Sequence, residues 1–190
     1  MKFPPSITDI KESTILVDTN IIIYYSQRGF KERTDDILRK LLVENKNKLC
    51  VSNITGYELF RDIDLKHREY YAKLLNSGYL IPIDLNSHVL SNASIISNLC
   101  DQLLNKNKGP SLQDILIMAS ALAVKGGAYI LTCDKKDYTE PLCLTAAYMS
   151  VPAEKGNGNA KFGVEHLYLM RVNEELISKY ILDVKTKDHS

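Results

Sequence analysis

Asp18 follows the apolar run Ile15-Leu16-Val17, and Asp134 follows Tyr129-Ile130-Leu131-Thr132. Glu58 comes six residues after Ser52, at the end of the run Leu49-Cys50-Val51, and Asp114 comes three residues after Ser111. Singly, each acid has an ordinary explanation: a turn at Asp18, an Asx turn at Asp134, a helix N-terminus at Asp114, a solvated helix face at Glu58. As a set they are harder to dismiss. At about 4 Å and an effective dielectric of about 20, each ionised pair costs about 4 kcal/mol. A fold keeps such a cluster only if a cation occupies it or protons neutralise part of it. Hard oxygen ligands select Mg²⁺ or Mn²⁺ over zinc. Such ions polarise a phosphoryl oxygen, lower the pKa of a bound water and stabilise a leaving oxygen, which suits phosphodiester hydrolysis.

Short apolar runs alternate with amphipathic stretches, the pattern of βαβ units around a parallel sheet. Strands are expected at 15–17, 49–51, 79–83, 129–132 and 164–172. Pro82 points to a sheet edge or a strand's end. Helices are expected over 21–25, after Thr34 with Ile37, Leu38, Leu41 and Leu42, from Ser52 through Phe60, over 70–75 and over 89–104. Ser111 and Asp114 form a carboxylate variant of the capping box for a helix that stops at Gly126-Gly127. Residues 152–163 (PAEKGNGNAKFG) read as a loop, and Asn173 caps a last helix. In an open parallel sheet, strand C-ends and the following helix N-termini share one edge, where ligands bind. All four acids are attached to that edge.

The chain has 190 residues, 45% apolar and 25% charged, which suits one domain spanning 1–190 and excludes disorder as the main state. No apolar run approaches the ~20 residues of a membrane span. The first residues lack a secretory apolar core, so a cytoplasmic location is expected. With 24 basic and 23 acidic residues the net charge is +1, so nucleic acid would have to be held by a local basic patch and not by bulk attraction. Cys50, Cys100, Cys133 and Cys143 form no C-x-x-C pair and are read as reduced and mostly buried.

Val17-Asp18-Thr19-Asn20 resembles the first motif of the PIN-domain family of metal-dependent nucleases, especially its small VapC-type toxin ribonucleases. Ser52-Asn53-Ile54-Thr55-Gly56-Tyr57-Glu58 is similar to the second, and Asp114-Ile115-Leu116-Ile117-Met118-Ala119-Ser120-Ala121 to the third. Leu131-Thr132-Cys133-Asp134-Lys135-Lys136-Asp137-Tyr138 resembles the fourth, whose pattern is T-x-D-x-D-F with some variation. The motifs stand in family order across residues 15–138. Cys133 replaces a small or polar residue, and Asp137 comes one position late.

The resemblance implies a three-layer α/β/α fold around a central, mostly parallel sheet, with a motif-bearing core at about 14–140. Residues 141–190 would complete the sheet or bind a partner. It implies a Mg²⁺- or Mn²⁺-dependent endoribonuclease, the toxin of a toxin–antitoxin pair, with RNA as substrate, an antitoxin protein as partner and a homodimer as assembly. Asp18, Glu58, Asp114 and Asp134 would be the catalytic, metal-binding quartet, supported by Asn20, Thr132 and Asp137. Lys135, Lys136 and Arg61 would contact phosphate, with Lys66 and Arg68 as further cations. Tyr57 and Tyr138 are expected in the core in preference to stacking on bases. The rival readings are a non-catalytic PIN-like scaffold that binds RNA or protein, and an aspartyl-phosphate phosphatase. The second is disfavoured because Asn20 stands where that chemistry wants a proton-transferring acid.

Overall fold

The computed structural model describes residues 5–26, 36–37, 39–61, 65–104, 109–155 and 161–187. β1 (Thr14–Val17) leads into α1 (Thr19–Ser26), and β2 (Lys48–Ser52) into α2 (Asn53–Arg61) and α3 (Leu65–Asn76). β3 (Ile81–Ile83) is followed by α4 (Ser87–Leu103), α5 (Leu112–Ala123) and β4 (Tyr129–Thr132). β5 (Cys143–Lys155), β6 (Lys161–Val172) and α6 (Glu174–Lys187) complete the order. Leu41 and Leu42 lie in a π-helical turn, Lys40–Glu44, while Thr34 and Leu38 fall outside the described residues.

The six-stranded sheet has the order β3-β2-β1-β4-β6-β5. β3, β2, β1 and β4 run parallel, whereas β6 is antiparallel to β4 and β5 to β6. Side-chain alternation along the strands explains the three layers. Ile15, Val17, Leu49, Val51 and Leu131 face a cluster with Ile21 and Ile22 of α1, Leu59 of α2 and Tyr71 of α3. Leu16, Cys50 and Ile130 face the opposite cluster, with Val89 and Ile96 of α4, Ile117 and Met118 of α5 and Ile177 of α6. Strands buried on both faces need near-continuous apolar runs, which is why β1, β2 and β4 are conspicuous in the sequence.

The chain leaves β1 towards β2 on one side, and β4 returns on the other. The C-terminal ends of β1 and β4 therefore flank a topological switch point, where the loops diverge and leave a crevice. α5 delivers a residue to the same edge. Its start is fixed by the expected capping box: Ser111 Oγ accepts from Asp114 N at 3.3 Å, and Asp114 Oδ2 accepts from Ser111 N at 2.8 Å. Its end is fixed by Gly126 and Gly127, both left-handed (φ 84° and 74°).

Two expectations need correction. Residues 152–155 and 161–163 are paired strand, not loop, with Lys155 opposite Lys161, and residues 156–160 lie outside the described ones. Pairing outweighs the Gly and Asn content. Pro152 is tolerated because β5 is an edge strand of the sheet, paired with β6 and joined to the N-terminal segment by an isolated bridge at Ser6–Tyr148. β5 itself was not expected, because an irregularity between Thr145 and Ala147 breaks the period-two pattern. β6 pairs with β4 only over Tyr168–Arg171. Its earlier residues, with β5, run past the C-terminal end of β4 as a two-stranded ribbon.

Ser111→Ala removes the cap that sets the first turn of α5. Chemical denaturation is expected to show a loss of about 1 kcal/mol; unchanged stability would mean the cap contributes nothing to that helix.

Candidate functional site

Asp18 lies immediately after β1, and its backbone N–H donates to Leu131 O at 3.0 Å, which pins it against β4. Its side chain is 4% exposed. Oδ2 accepts from Asn20 Nδ2 at 2.7 Å and from Thr132 Oγ1 at 2.8 Å. Asn20 Nδ2 also donates to Thr132 Oγ1 at 2.9 Å, and Asn20 Oδ1 accepts from Cys133 N at 3.0 Å. Thr132 Oγ1 in turn accepts from Asp134 N at 3.0 Å. Thr132 thus uses its one proton and two lone pairs, and Asn20 both amide hydrogens and its oxygen. The network ties the β1–α1 corner to the segment after β4.

All these donors are neutral. Burial pushes the Asp18 acid up to about 7; Thr132 opposes the rise, and the charge of Asp114 adds to it. Glu58, half-buried on α2, is also raised, first by burial, with Asp114 adding and Arg61 opposing. Thr19 Oγ1 donates to Glu58 Oε2 and lies 3.2 Å from Thr55 Oγ1. Thr19 went unassigned in the sequence reading. Its only signal was its place between Asp18 and Asn20.

Asp114 is the electrostatic hub: its charge raises Asp18, Glu58 and Asp137 alike. One of its oxygens is already engaged, since Oδ2 also accepts from Ser111 Oγ at 2.6 Å. Asp137 is pushed up to about 6 by burial, then by Asp114 and Asp134, with Lys136 opposing. Asp134 caps the short 3₁₀ turn Lys135–Asp137, its Oδ1 accepting from Lys136 N at 2.9 Å, and its charge acts on Asp137. The charge of Asp114 thus reaches Asp18, Glu58 and Asp137, and that of Asp134 reaches Asp137.

Among the described residues, no three His, Cys, Asp or Glu side chains stand as a group that could hold a metal ion. The acids share a field without forming a closed cage. The donor set nevertheless suits a hard divalent cation: it is all oxygen, its charges raise one another, and the opposing cations, Arg61 and Lys136, are minor influences.

Lys135, Lys136 and Arg61 are exposed. The Arg61 guanidinium lies 5.7 Å from the centre of the Tyr57 ring. Tyr57 is 55% exposed, so core packing is overturned for it, while Tyr138 is fully buried as expected. Arg68 donates to Phe60 O at 2.6 Å and to Leu59 O at 3.2 Å, which closes the C-terminal end of α2. Cys50, Cys100 and Cys143 are buried, and none of the four cysteines is in a disulfide. No helix among the described residues is long and apolar enough to cross a membrane.

An acid raised in the folded state adds stability below its unfolded pKa and loses it as pH rises through the folded value. For Asp18 and Asp137 that window runs from about 4 upward through 6 and 7. Metal-free protein is thus expected to lose thermal stability between about pH 4 and pH 7. Asp18→Asn should flatten that slope and raise the melting temperature at the upper end. An equal slope in both proteins would refute the assignment.

The model for the PIN domain matches residues 15–139. No match is found among curated proteins. Solved structures similar to the chain include VapBC2 from Rickettsia felis bound to a DNA fragment from their promoter, at 20% identity and a TM-score of 0.53. That alignment covers 67% of this chain and 93% of the other. DNA-bound VapBC from Salmonella typhimurium aligns at 19% identity and a TM-score of 0.43, covering 59% of this chain and 79% of the other. The first of these shares the fold seen here, and the match over 15–139 spans every acid described above: the chain belongs to the PIN-domain family.

Proposed function

We propose that the chain is an endoribonuclease that uses Mg²⁺ or Mn²⁺ to hydrolyse RNA phosphodiester bonds, as the toxin of a toxin–antitoxin pair in the cytoplasm. The observation that carries this reading is the buried Asp18 carboxylate, aimed by Thr132 and Asn20 at the switch point within the field of Asp114. The toxin assignment is supported by family membership and by the fold shared with a VapBC complex. An antitoxin and a second copy of the chain are the protein partners it implies.

When bound, the divalent ion supplies Lewis-acid activation of water and phosphate and offsets charge on the leaving oxygen. Asp18 and Asp134 are the residues assigned to hold it directly, with Glu58 and Asp114 as further ligands or as base. Thr132 and Asn20 fix the Asp18 rotamer, and Thr19 fixes Glu58. Asp137, an acid raised to about 6, is suited to hold or release a proton near neutral pH. Lys135, Lys136 and Arg61, exposed beside these acids in sequence, are the candidates for phosphate contact. The expected ends are 5′-phosphate and 3′-hydroxyl.

The rival scaffold reading gives no reason to keep mutually repelling acids at one crevice. Incubation of RNA with Mn²⁺ separates the two. Parent protein is expected to cleave, Asp18→Asn to be slower by more than about 100-fold, and Thr132→Val by about 10–100-fold through loss of carboxylate aim. Cleavage that persists unchanged in Asp18→Asn would refute the site, and RNA binding with neither cleavage nor a metal-induced thermal shift would establish the scaffold.

A further inference from the structure

Tyr138 closes the fourth motif where the pattern it resembles ends in phenylalanine. Its ring is 0% exposed and belongs to the core cluster that includes Ile117, Met118 and Cys143. A phenylalanine ring would fill that space equally well, so packing does not explain the hydroxyl. Among the described residues, Tyr138 Oη is the one buried side-chain nitrogen or oxygen without a hydrogen-bond partner. Orphaned buried hydroxyls are uncommon and call for an explanation.

The surroundings supply one. The hydroxyl lies close enough to the Asp18 carboxylate to influence it, yet outside ordinary hydrogen-bond geometry. Asp114 also acts on it. A buried donor that just misses a buried acceptor marks a contact that a small movement of the acid would complete. Asp18 Oδ2 is committed to Asn20 and Thr132. Oδ1 carries no such side-chain bond and is the oxygen left for a cation. Among the described residues the phenol is the one buried side-chain donor without a full partner near enough to meet the carboxylate.

We propose that Tyr138 is a positioning residue: its hydroxyl donates a hydrogen bond to the Asp18 carboxylate once a divalent cation engages that acid, and so helps to fix the cation-bound geometry. The inference rests on the metal-binding reading above. It adds a donor from the core side of the site, opposite in role to the Asn20–Thr132 pair, which is complete without the ion.

Tyr138→Phe tests it in the full chain, with Mn²⁺ as the probe. Without metal, the variant is expected to melt at or above the parent's temperature, because it removes an unsatisfied polar atom. Its Mn²⁺ dissociation constant, from calorimetric titration, is expected to rise about tenfold, the effect of one lost hydrogen bond to a charged group. A lower metal-free melting temperature with unchanged Mn²⁺ affinity would mark a merely structural hydroxyl and overturn the proposal. Parent protein that binds no Mn²⁺ would overturn the metal-site reading and this inference with it, so the two failures are distinct. A second measurement reads the hydroxyl itself. Because the chain has no tryptophan, Mn²⁺ titration of the parent is expected to give a tyrosine difference absorbance that Tyr138→Phe lacks when saturated with Mn²⁺. Its absence from a parent that binds Mn²⁺ also refutes the proposal.

Discussion

Like-charge crowding at one edge of the sheet is the constraint on which the rest of this structure depends. Asp18 is buried among neutral donors, and Asp114 adds repulsion to Asp18, Glu58 and Asp137. Such an arrangement lowers the stability of the chain standing alone. It persists because β1 and β4 pair across the switch point and the Asn20–Thr132 pair holds the acid from the start of α1 and the end of β4. The core is built to keep these elements in register: the apolar residues of β1 alternate between two clusters, and a one-residue slip would send Asp18 to the wrong face.

The parts of this arrangement that obey local rules were legible in the sequence. β4 runs over Tyr129–Thr132 as read from its four-residue apolar run, and the Ser111 cap with Asp114 is present as inferred from spacing. Pro82 does sit on an edge strand. The influence of Asp114 on Asp18 agrees with strand ends and helix starts sharing one edge, a property of parallel sheets that needs no coordinates.

What was not legible depends on pairing partners and on turns. β5 is held by β6 through a bulge and carries a proline, so its pattern is weak until the partner strand is known. Glycine and asparagine around 156–159 suggested a long loop, whereas strand pairing begins at Lys155 and Lys161. The 3₁₀ turn after Asp134 decides which acid of the fourth motif stands near Asp114, and a one-residue offset in the motif does not reveal that turn. Thr19 and the Tyr138 hydroxyl escaped notice because their roles lie in side-chain contacts made across the fold.

The central claim is that a divalent ion is gripped by oxygens at the switch point between β1 and β4. Anomalous diffraction from crystals grown with Mn²⁺ tests it most directly. The account predicts a manganese peak within bonding distance of the Asp18 carboxylate and of at least one among Glu58, Asp114, Asp134 and Asp137. Ordered crystals with saturating Mn²⁺ and no peak there, or with a peak only elsewhere on the molecule, would contradict it.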